Sequence, residues 1–228
     1  MLMRDFWGYI KNEEYSIGCT GQSVYVYDNK LNELARFKDL KYAYLPVFIP
    51  CKEQFIVKST EGRIAVYSLK ELRLLKKFKT SEVTYSQDDG CCFSSNGNTF
   101  YNIERHINNC RQRMSIYDTE NFELKYRLFE KEDQLDLLCV EYDERKEVCV
   151  LLGFMNENNK QKGYAFVAEI NEQGLHNITE IEDEKTYTYI EEYKRMEMYG
   201  FTKKELALYG YEDASHFCRK VRLYDYLK

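Results

Sequence analysis

Met114-Ser115-Ile116-Tyr117-Asp118 belongs to the set of similar stretches that decides the fold of this 228-residue chain. Apolar residues alternate along it, and it ends in a Tyr-Asp mark. Related marks end at positions 28, 68, 118, 169 and 225, at intervals of 40 to 56 residues. The five marks are Val26-Tyr27-Asp28, Val66-Tyr67-Ser68, Ile116-Tyr117-Asp118, the fainter Val167-Ala168-Glu169, and Leu223-Tyr224-Asp225. Self-similarity at this period predicts an array of small repeated units.

Each mark closes a predicted strand. The residues two and four places before the mark are apolar in all five copies, which is the period-2 pattern of a strand that buries one face. The Asp or Ser of the mark then opens a polar turn, because its side chain can bond the backbone amides ahead of it. A leucine six residues after the mark begins a second strand, at Leu34, Leu74, Leu124 and Leu175.

Two further strands precede each mark. In the third copy the turn Ser94-Ser95-Asn96-Gly97-Asn98 separates two apolar runs, and Asn-Gly between such runs strongly predicts a hairpin. Each unit is therefore expected to hold four antiparallel strands, and five units predict an all-β, five-bladed β-propeller. We expect one domain over residues 1–228, with blades at about 5–40, 41–80, 85–130, 134–183 and 186–228. A five-repeat β structure left open is the rival architecture.

The segment Phe93–Phe100 followed by Met114–Asp118 resembles the blade pattern of WD-repeat and related β-propellers, and Glu61–Ser68 resembles it too. The resemblance touches all five copies, but each copy is degenerate. Tyr-Asp or less replaces the Trp-Asp pair, and no Gly-His pair precedes the blades. The resemblance therefore implies a fold and no particular activity.

The fifth blade is predicted to be the irregular one, because its leucine would fall at position 231, after Lys228. Two arrangements would close the ring. Either the run Phe6–Ile10 completes the last blade and leaves the first one short, or the last blade has three strands. We prefer the second arrangement.

Composition narrows the classes of function. The formal charge is −5, from 33 basic and 38 acidic residues mixed along the chain, which argues against a nucleic-acid-binding surface. No apolar window is long enough to span a membrane and no signal peptide is evident, so we expect a monomeric cytoplasmic protein. The eight cysteines lack CxxC pairs, and those in apolar runs, such as Cys139 and Cys149, are expected to be small buried side chains. Richness in Lys, Asn, Tyr and Glu is compatible with an AT-rich bacterial genome.

The sequence predicts no cofactor, no metal and no catalytic residue. His106 with Cys110 and His216 with Cys218 are the only His/Cys neighbours, and both pairs lack the spacing of a zinc site. No nucleophile motif or phosphate loop occurs. The alternative of a glycan-active enzyme would need two carboxylates near the axis. Its candidates are Asp88, Asp89, Asp136, Glu141, Glu191 and Glu192.

A binding surface is the remaining prediction, because recognition usually lies in loops on a rigid scaffold. The connections between blades carry tyrosines, and the long second loops, Glu104–Gln112 and Met155–Lys162, carry arginines and asparagines. The predicted protein-binding residues are Tyr42, Tyr44, Tyr85, Arg105, Arg111, Tyr187 and Tyr189. Alternatively, these tyrosines begin inner strands and pack between blades. We expect a small non-enzymatic protein-binding module, with a toxin-neutralising immunity protein as a specific form.

Overall fold

The structure is a computed structural model that describes residues 6–80, 85–109, 111–156 and 163–181. These residues form sixteen strands and no helix. The strands are β1 Gly8–Lys11, β2 Tyr15–Cys19, β3 Val24–Asp28, β4 Glu33–Phe37, β5 Ala43–Phe48, β6 Gln54–Ser59, β7 Arg63–Ser68, β8 Arg73–Lys79, β9 Tyr85–Phe93, β10 Thr99–His106, β11 Gln112–Asp118, β12 Glu123–Leu128, β13 Leu135–Asp143, β14 Val148–Asn156, β15 Gly163–Asn171 and β16 Gly174–Glu180.

Four antiparallel sheets take these strands in chain order, four strands to a sheet. We number them sheets 1 to 4, so that sheet 1 is β1–β4 and sheet 4 is β13–β16. The predicted fold class, an all-β chain of four-stranded blades of the β-propeller type, is confirmed for these four sheets. The predicted fifth blade at 186–228, with Leu223 and its mark, lies outside the described residues.

The third strand of each sheet is buried on both faces. The apolar positions before the marks are buried as predicted, for example Val24 and Val26 in β3. The residues between them are buried as well, for example Tyr25 in β3 and Ser115 in β11. The prediction that these strands bury one face was wrong, because each third strand lies inside its sheet and packed side chains cover both of its faces.

A β-bulge accompanies every described mark. Where the third strand pairs with the fourth, the register shifts between Val26 and Tyr27, between Val66 and Tyr67, and between Ile116 and Tyr117. Sheet 4 has the same shift between Val167 and Glu169. A bulge adds one residue to one strand and increases its local twist. In sheets 1 to 3 the added residue lies on the fourth strand, at Leu34, Leu75 and Lys125, and the tyrosine of the mark pairs beside it.

The turn after the mark is built as the sequence predicts. In sheet 1, one carboxylate oxygen of Asp28 accepts hydrogen bonds from the backbone N–H of Lys30 at 2.9 Å and of Asn32 at 2.8 Å. The same turns hold an apolar residue at positive φ, namely Leu31 at 64°, Leu72 at 47° and Phe122 at 50°. The left-handed conformation is unfavourable for such side chains.

The chain divides into two compact units. Unit 1 comprises residues 1–88 and 104–110, and unit 2 comprises residues 89–103 and 111–228. Each has its own apolar core: in unit 1 it joins sheets 1 and 2 through residues such as Val26 and Phe55. In unit 2 it joins sheets 3 and 4 through residues such as Ile116 and Leu151.

One side chain in unit 2 links neighbouring sheets by hydrogen bonds. Gln112, at the start of β11, donates from Nε2 to the carbonyl of Leu137 at 2.9 Å. Its Oε1 accepts from the backbone N–H of Leu137 at 2.6 Å. Gln112 is 5% exposed and Leu137 is 1% exposed, so both bonds are shielded from water. Gln112 thus satisfies both backbone groups of one residue in β13, the first strand of sheet 4.

The predicted second loops are shorter than expected. β10 continues through Arg105 to His106, and β11 begins at Gln112, so residues 107–111 alone connect them. β14 likewise extends to Asn156, and residues 157–162 lie outside the described part of the chain. Glu104, predicted in a loop, is fully buried in β10. β10 therefore continues through the polar residues Glu104, Arg105 and His106, whose composition had suggested a loop.

Two remaining predictions concern Cys139 and the first strand. Cys149 is buried and free, as expected, whereas Cys139 is buried but disulfide-bonded, which the sequence did not suggest. β1 pairs along its length with β2, so sheet 1 holds all four of its strands. Among the described residues no helix is long and apolar enough to cross a membrane.

Candidate protein-binding surface

Aromatic residues gather at one end of unit 1, where the first strand of each sheet begins. We call this the entry end. Trp7 directly precedes β1, Tyr42 directly precedes β5, and Tyr85 is the first residue of β9. The β2–β3 and β6–β7 connections lie at the same end, because the strands of an antiparallel sheet alternate in direction.

Trp7 is held by backbone contacts while its ring reaches solvent. Its N–H donates to the carbonyl of Cys19 at 2.7 Å. Its ring covers Gly21, where an added Cβ would lie 2.7 Å from the ring. Gly21 has a φ of +79°, so glycine is needed there both for the backbone and for the ring above it. The side chain of Trp7 nevertheless remains 56% exposed.

Tyr42 lies in a segment whose backbone is fixed from both sides. The next residue, Ala43, exchanges two hydrogen bonds with Gly21, at 3.0 and 3.1 Å. The preceding carbonyl, that of Lys41, accepts from the hydroxyl of Ser59 at 2.6 Å. Tyr42 itself has a φ of 52°, an unfavourable value for a bulky residue, and its side chain is 49% exposed. Its backbone is therefore placed before any partner arrives.

The third part of the surface comes from β9 and β10. The ring of Tyr85 meets the ring of His106 edge-on, with centroids 5.1 Å apart. Ser86 joins the same strands by donating from its hydroxyl to the carbonyl of Arg105 at 3.3 Å. Ile107 follows His106 and is 60% exposed. We define the entry-end aromatic surface as Trp7, Tyr42, Tyr85, His106 and Ile107.

Comparison with solved structures supports the β-propeller type of fold. Hydrazine synthase from Kuenenia stuttgartiensis matches with a TM-score of 0.59 and 13% identity, over 76% of this chain and 52% of that one. The similarity shows the fold alone. The WD40 β-propeller domain of Doa1 also matches, with a TM-score of 0.45 and 13% identity, over 61% of this chain and 43% of that one. This chain thus spans about half the length of the solved chains that it matches.

Comparison of the sequence with known families and proteins identifies no related sequence. No protein-family model matches the chain, and no curated protein sequence does. Since a propeller scaffold hosts many unrelated functions, any function has to be argued from the site itself.

The structure separates the predicted binding residues into groups. Tyr42, Tyr85 and Arg105 lie together at the entry end of unit 1. Tyr44, by contrast, is only 7% exposed in β5, so it packs inside the unit as the alternative interpretation expects. Arg111 belongs to unit 2, where it forms a bidentate pair with Asp133, with N–O distances of 2.6 and 2.7 Å. Tyr187 and Tyr189 lie outside the described residues.

Two of the carboxylates considered for glycan chemistry, those of Asp136 and Glu141, lie in the described part of the chain, and they are far apart. Asp136 and Glu141 lie on β13 opposite Phe154 and Val150 of β14. They point to the same side because a bulge between them restores the alternation. Their partners on β14 are four positions apart, and this separation corresponds to about 13 Å at the usual rise of a strand. The two carboxylates of a glycosidase lie about 5 to 9.5 Å apart.

The other candidates for chemistry are not assembled in the described part of the chain. The side chains of Asp88 and Asp89, and residues Glu191 and Glu192, lie outside it. His106 is described, but Cys110, His216 and Cys218 are not. Among the described residues no group of three or more His, Cys, Asp or Glu could hold a metal ion.

Three residues of this surface, Trp7, His106 and Ile107, were not predicted from the sequence. A signal for Trp7 was present, since it precedes β1 just as Tyr42 precedes β5, and it is the single tryptophan in the chain. His106 and Ile107 gave no comparable signal. Their place on the surface depends on β10 bringing them beside Tyr85, a contact between residues 21 positions apart.

Proposed function

We propose that this protein is a small non-enzymatic protein-binding module whose partner contacts the entry-end aromatic surface. The observation that carries the proposal is the pairing of exposed aromatic side chains with a fixed backbone. Trp7 and Tyr42 expose about half of their surface, yet the hydrogen-bonded pair of Gly21 and Ala43 holds the loops beneath them. Tryptophan and tyrosine are the residues most enriched at binding hot spots.

The clustering of these side chains supports the proposal. Isolated exposed apolar residues are common and need no explanation. Trp7, Tyr42 and Ile107 are instead three large exposed side chains from separate segments at one end of one unit. Of the other exposed large apolar residues in the described part, Leu34, Leu75, Leu124 and Ile178 lie one to a sheet on the fourth strands. An apolar group at a loop-bearing end fits an interface better than it fits chance exposure.

The specific form that we propose is an inhibitor, such as an immunity protein that neutralises a toxin. Inhibitor complexes commonly form with little backbone movement, because their interfaces are already ordered. The strained φ of Tyr42 and the double hydrogen bond beside it provide such order. We also propose that the blades are degenerate relatives of WD repeats, since a bulge accompanies each mark in the four described sheets.

Co-expression with the product of the neighbouring gene tests the function. We expect a one-to-one complex, measured by size-exclusion chromatography with light scattering and by isothermal titration calorimetry. The double variant Trp7→Ala/Tyr42→Ala should weaken the complex by about 100-fold or more, because two hot-spot residues are removed. Circular dichroism and thermal unfolding verify that this variant is folded.

The matched control is Leu34→Ala/Leu124→Ala, which removes two exposed apolar side chains away from the entry end. This control should bind as tightly as the wild type. Equal affinity of the wild type and the Trp7→Ala/Tyr42→Ala variant would mean that the partner binds elsewhere. Turnover of a glycan by the purified chain would contradict the non-enzymatic function directly.

A further inference from the structure

Although the whole chain carries a charge of −5, in its described part exposed or half-buried basic side chains outnumber exposed carboxylates at the entry end of unit 1. Seven basic residues lie in its strand ends and connections, and they are Arg36, Lys38, Lys41, Arg63, Lys77, Lys79 and Arg105. The exposed carboxylates among the same described segments are those of Asp39 and Glu61. This excess of basic residues is not evident in the sequence, because the residues come from separate segments.

The opposite end of unit 1 has no such excess. Its hairpins hold five basic and six acidic residues, namely Lys11, Lys30, Lys52, Lys70 and Arg73, with Glu13, Glu14, Asp28, Glu33, Glu53 and Glu71. The two ends of one compact unit therefore differ in the sign of their charge. Aromatic exposure and positive charge coincide at the entry end.

Individual contacts tie the basic residues to the aromatic surface. Arg36 donates from Nε to the hydroxyl of Ser23 at 3.2 Å, within the connection that carries Gly21 and the Trp7 ring. Lys77 donates from Nζ to the carbonyl of Asp39 at 2.9 Å, three residues before Tyr42. These contacts place two cations against the connections that support Trp7 and lead to Tyr42.

We propose that the entry end of unit 1 binds an acidic protein segment that also presents apolar side chains, an inference that rests on the proposed function. The aromatic side chains bury the apolar groups of the partner, and the surrounding cations attract its carboxylates. Complementary charge mainly raises the rate of association and excludes wrong partners, while buried aromatic anchors supply the affinity. Binding should therefore weaken as salt increases.

An acidic protein fits this surface better than a nucleic acid does. Nucleic-acid surfaces carry a basic stripe on a basic domain, whereas this chain is acidic overall. Ile107 offers the surface an aliphatic contact that matches an apolar side chain.

The charge can be measured without a partner, because Trp7 is the single tryptophan and lies within the surface. Compared with N-acetyltryptophanamide, its fluorescence should show a stronger preference for quenching by iodide over caesium at low ionic strength. The variant Lys38→Glu/Lys41→Glu should reduce or reverse this preference, while Lys11→Glu/Lys70→Glu at the opposite end should leave it unchanged. Stronger quenching by caesium in the wild type would overturn the proposal.

The chemistry of the partner is tested with a library of displayed random peptides selected on the immobilised wild-type chain. We expect enriched peptides to combine Asp or Glu with aromatic or aliphatic residues. Their affinity should fall about tenfold or more in Lys38→Glu/Lys41→Glu and in Trp7→Ala/Tyr42→Ala, and should stay unchanged in Lys11→Glu/Lys70→Glu. Enrichment of neutral or basic peptides, or no enrichment that depends on these residues, would overturn it.

Three further outcomes separate the inference from the function beneath it. If an oligothymidine probe bound in a way that Lys38→Glu/Lys41→Glu abolished, the surface would be a single-strand nucleic-acid site and the inference would fail. If the neighbouring gene's product bound the wild type and both double variants of the entry end equally, the chain would still be a protein-binding module, but its partner would bind elsewhere and the inference would fail. If the neighbouring product did not bind and no peptide was enriched, both would fail.

Discussion

Replacing Gln112 by leucine should destabilise unit 2 by an amount that follows from two hydrogen bonds. Leucine is close in size to glutamine but can neither donate nor accept. The variant would leave the N–H and the carbonyl of Leu137 without the partners that now lie 2.6 and 2.9 Å away. Both residues are buried, so water does not easily replace the lost bonds.

The expected magnitude comes from the cost of leaving buried polar groups unpaired. Each such group costs about 1–3 kcal/mol. Two unpaired groups, the N–H and the carbonyl of Leu137, should therefore lower the free energy of unfolding by about 3 kcal/mol, because burial of the leucine side chain offsets part of the cost. For a chain of this size 1 kcal/mol corresponds to about 2–4 °C in melting temperature, so we expect a decrease of roughly 9 °C.

Urea unfolding followed by circular dichroism, together with differential scanning calorimetry, measures the loss. Gln173→Ala serves as the matched control, because Gln173 is exposed in the turn before β16 and its substitution should change stability by less than about 0.5 kcal/mol. Gln112→Glu adds a second check. Its buried carboxylate should be more damaging at neutral pH than near pH 4, where the protonated acid can donate again.

A loss below about 0.5 kcal/mol for Gln112→Leu would refute the reasoning. It would show that Leu137 finds other partners or that the two sheets do not depend on the link. A loss in Gln112→Leu matched by an equal loss in Gln173→Ala would be just as damaging, because it would point to a general sensitivity of the chain.

Three further predictions concern single positions. Gly21→Ala should lower the free energy of unfolding by about 2 kcal/mol and shift the emission of Trp7, since alanine is strained at this φ and its Cβ meets the ring. Leu31→Gly should raise stability by about 0.5–1 kcal/mol in urea unfolding, because its φ is 64° and the exposed leucine gives up little packing. Lys146→Met should cost at most about 1 kcal/mol near neutral pH, since the pair with Glu169 is partly exposed, and the cost should vanish in acid.

The pH dependence of the last prediction follows from a carboxyl with a lowered pKa. The hydrogen bond from Lys146, at 2.8 Å, holds the pKa of Glu169 below its ordinary value of 4.5, and Asn177 adds a second bond. The pair therefore stabilises the fold fully above that ordinary value, and its contribution is lost as the pH falls through the lowered pKa. Stability curves of the two proteins that stayed parallel down to pH 2 would contradict this.

Specific results would also contradict the predictions for Gly21→Ala and Leu31→Gly. Unchanged Trp7 emission in Gly21→Ala would mean that the ring does not lie over that glycine. Phe122→Gly is the comparison for Leu31→Gly, because Phe122 has a similar φ of 50° but is buried. It should destabilise the protein, since the lost burial outweighs the relieved strain.

Local pattern was enough to predict the blades. The period-2 alternation before Asp28, the polar turn after it and the later Leu34 all reflect interactions within a few residues, and the structure places each as expected in sheet 1. The burial of Tyr25 could not be read in the same way. Its environment is set by packing between separate strands, which the sequence of one strand does not contain.

The candidate surface was predicted only in part for the same physical reason. Tyr42 and Tyr85 were found because each stands at a junction that the repeat marks. The positive charge around them was invisible in a well-mixed chain, because Arg36, Lys41 and Lys77 are brought to one end only by the alternation of strand direction. Charge and exposure at a surface are properties of assembled segments.

The bulges at the marks also bear on how the molecule behaves among its own copies. Each fourth strand is the outer edge of its sheet, and a flat exposed edge can capture a strand from another chain. Here every such edge follows a bulge that twists it, and β8 carries Arg73, Lys76, Lys77 and Lys79 along seven residues. Twisted edges present poor templates, and edges of like charge repel. The bulge beside each repeated mark thus helps to keep the protein dispersed in a crowded solution.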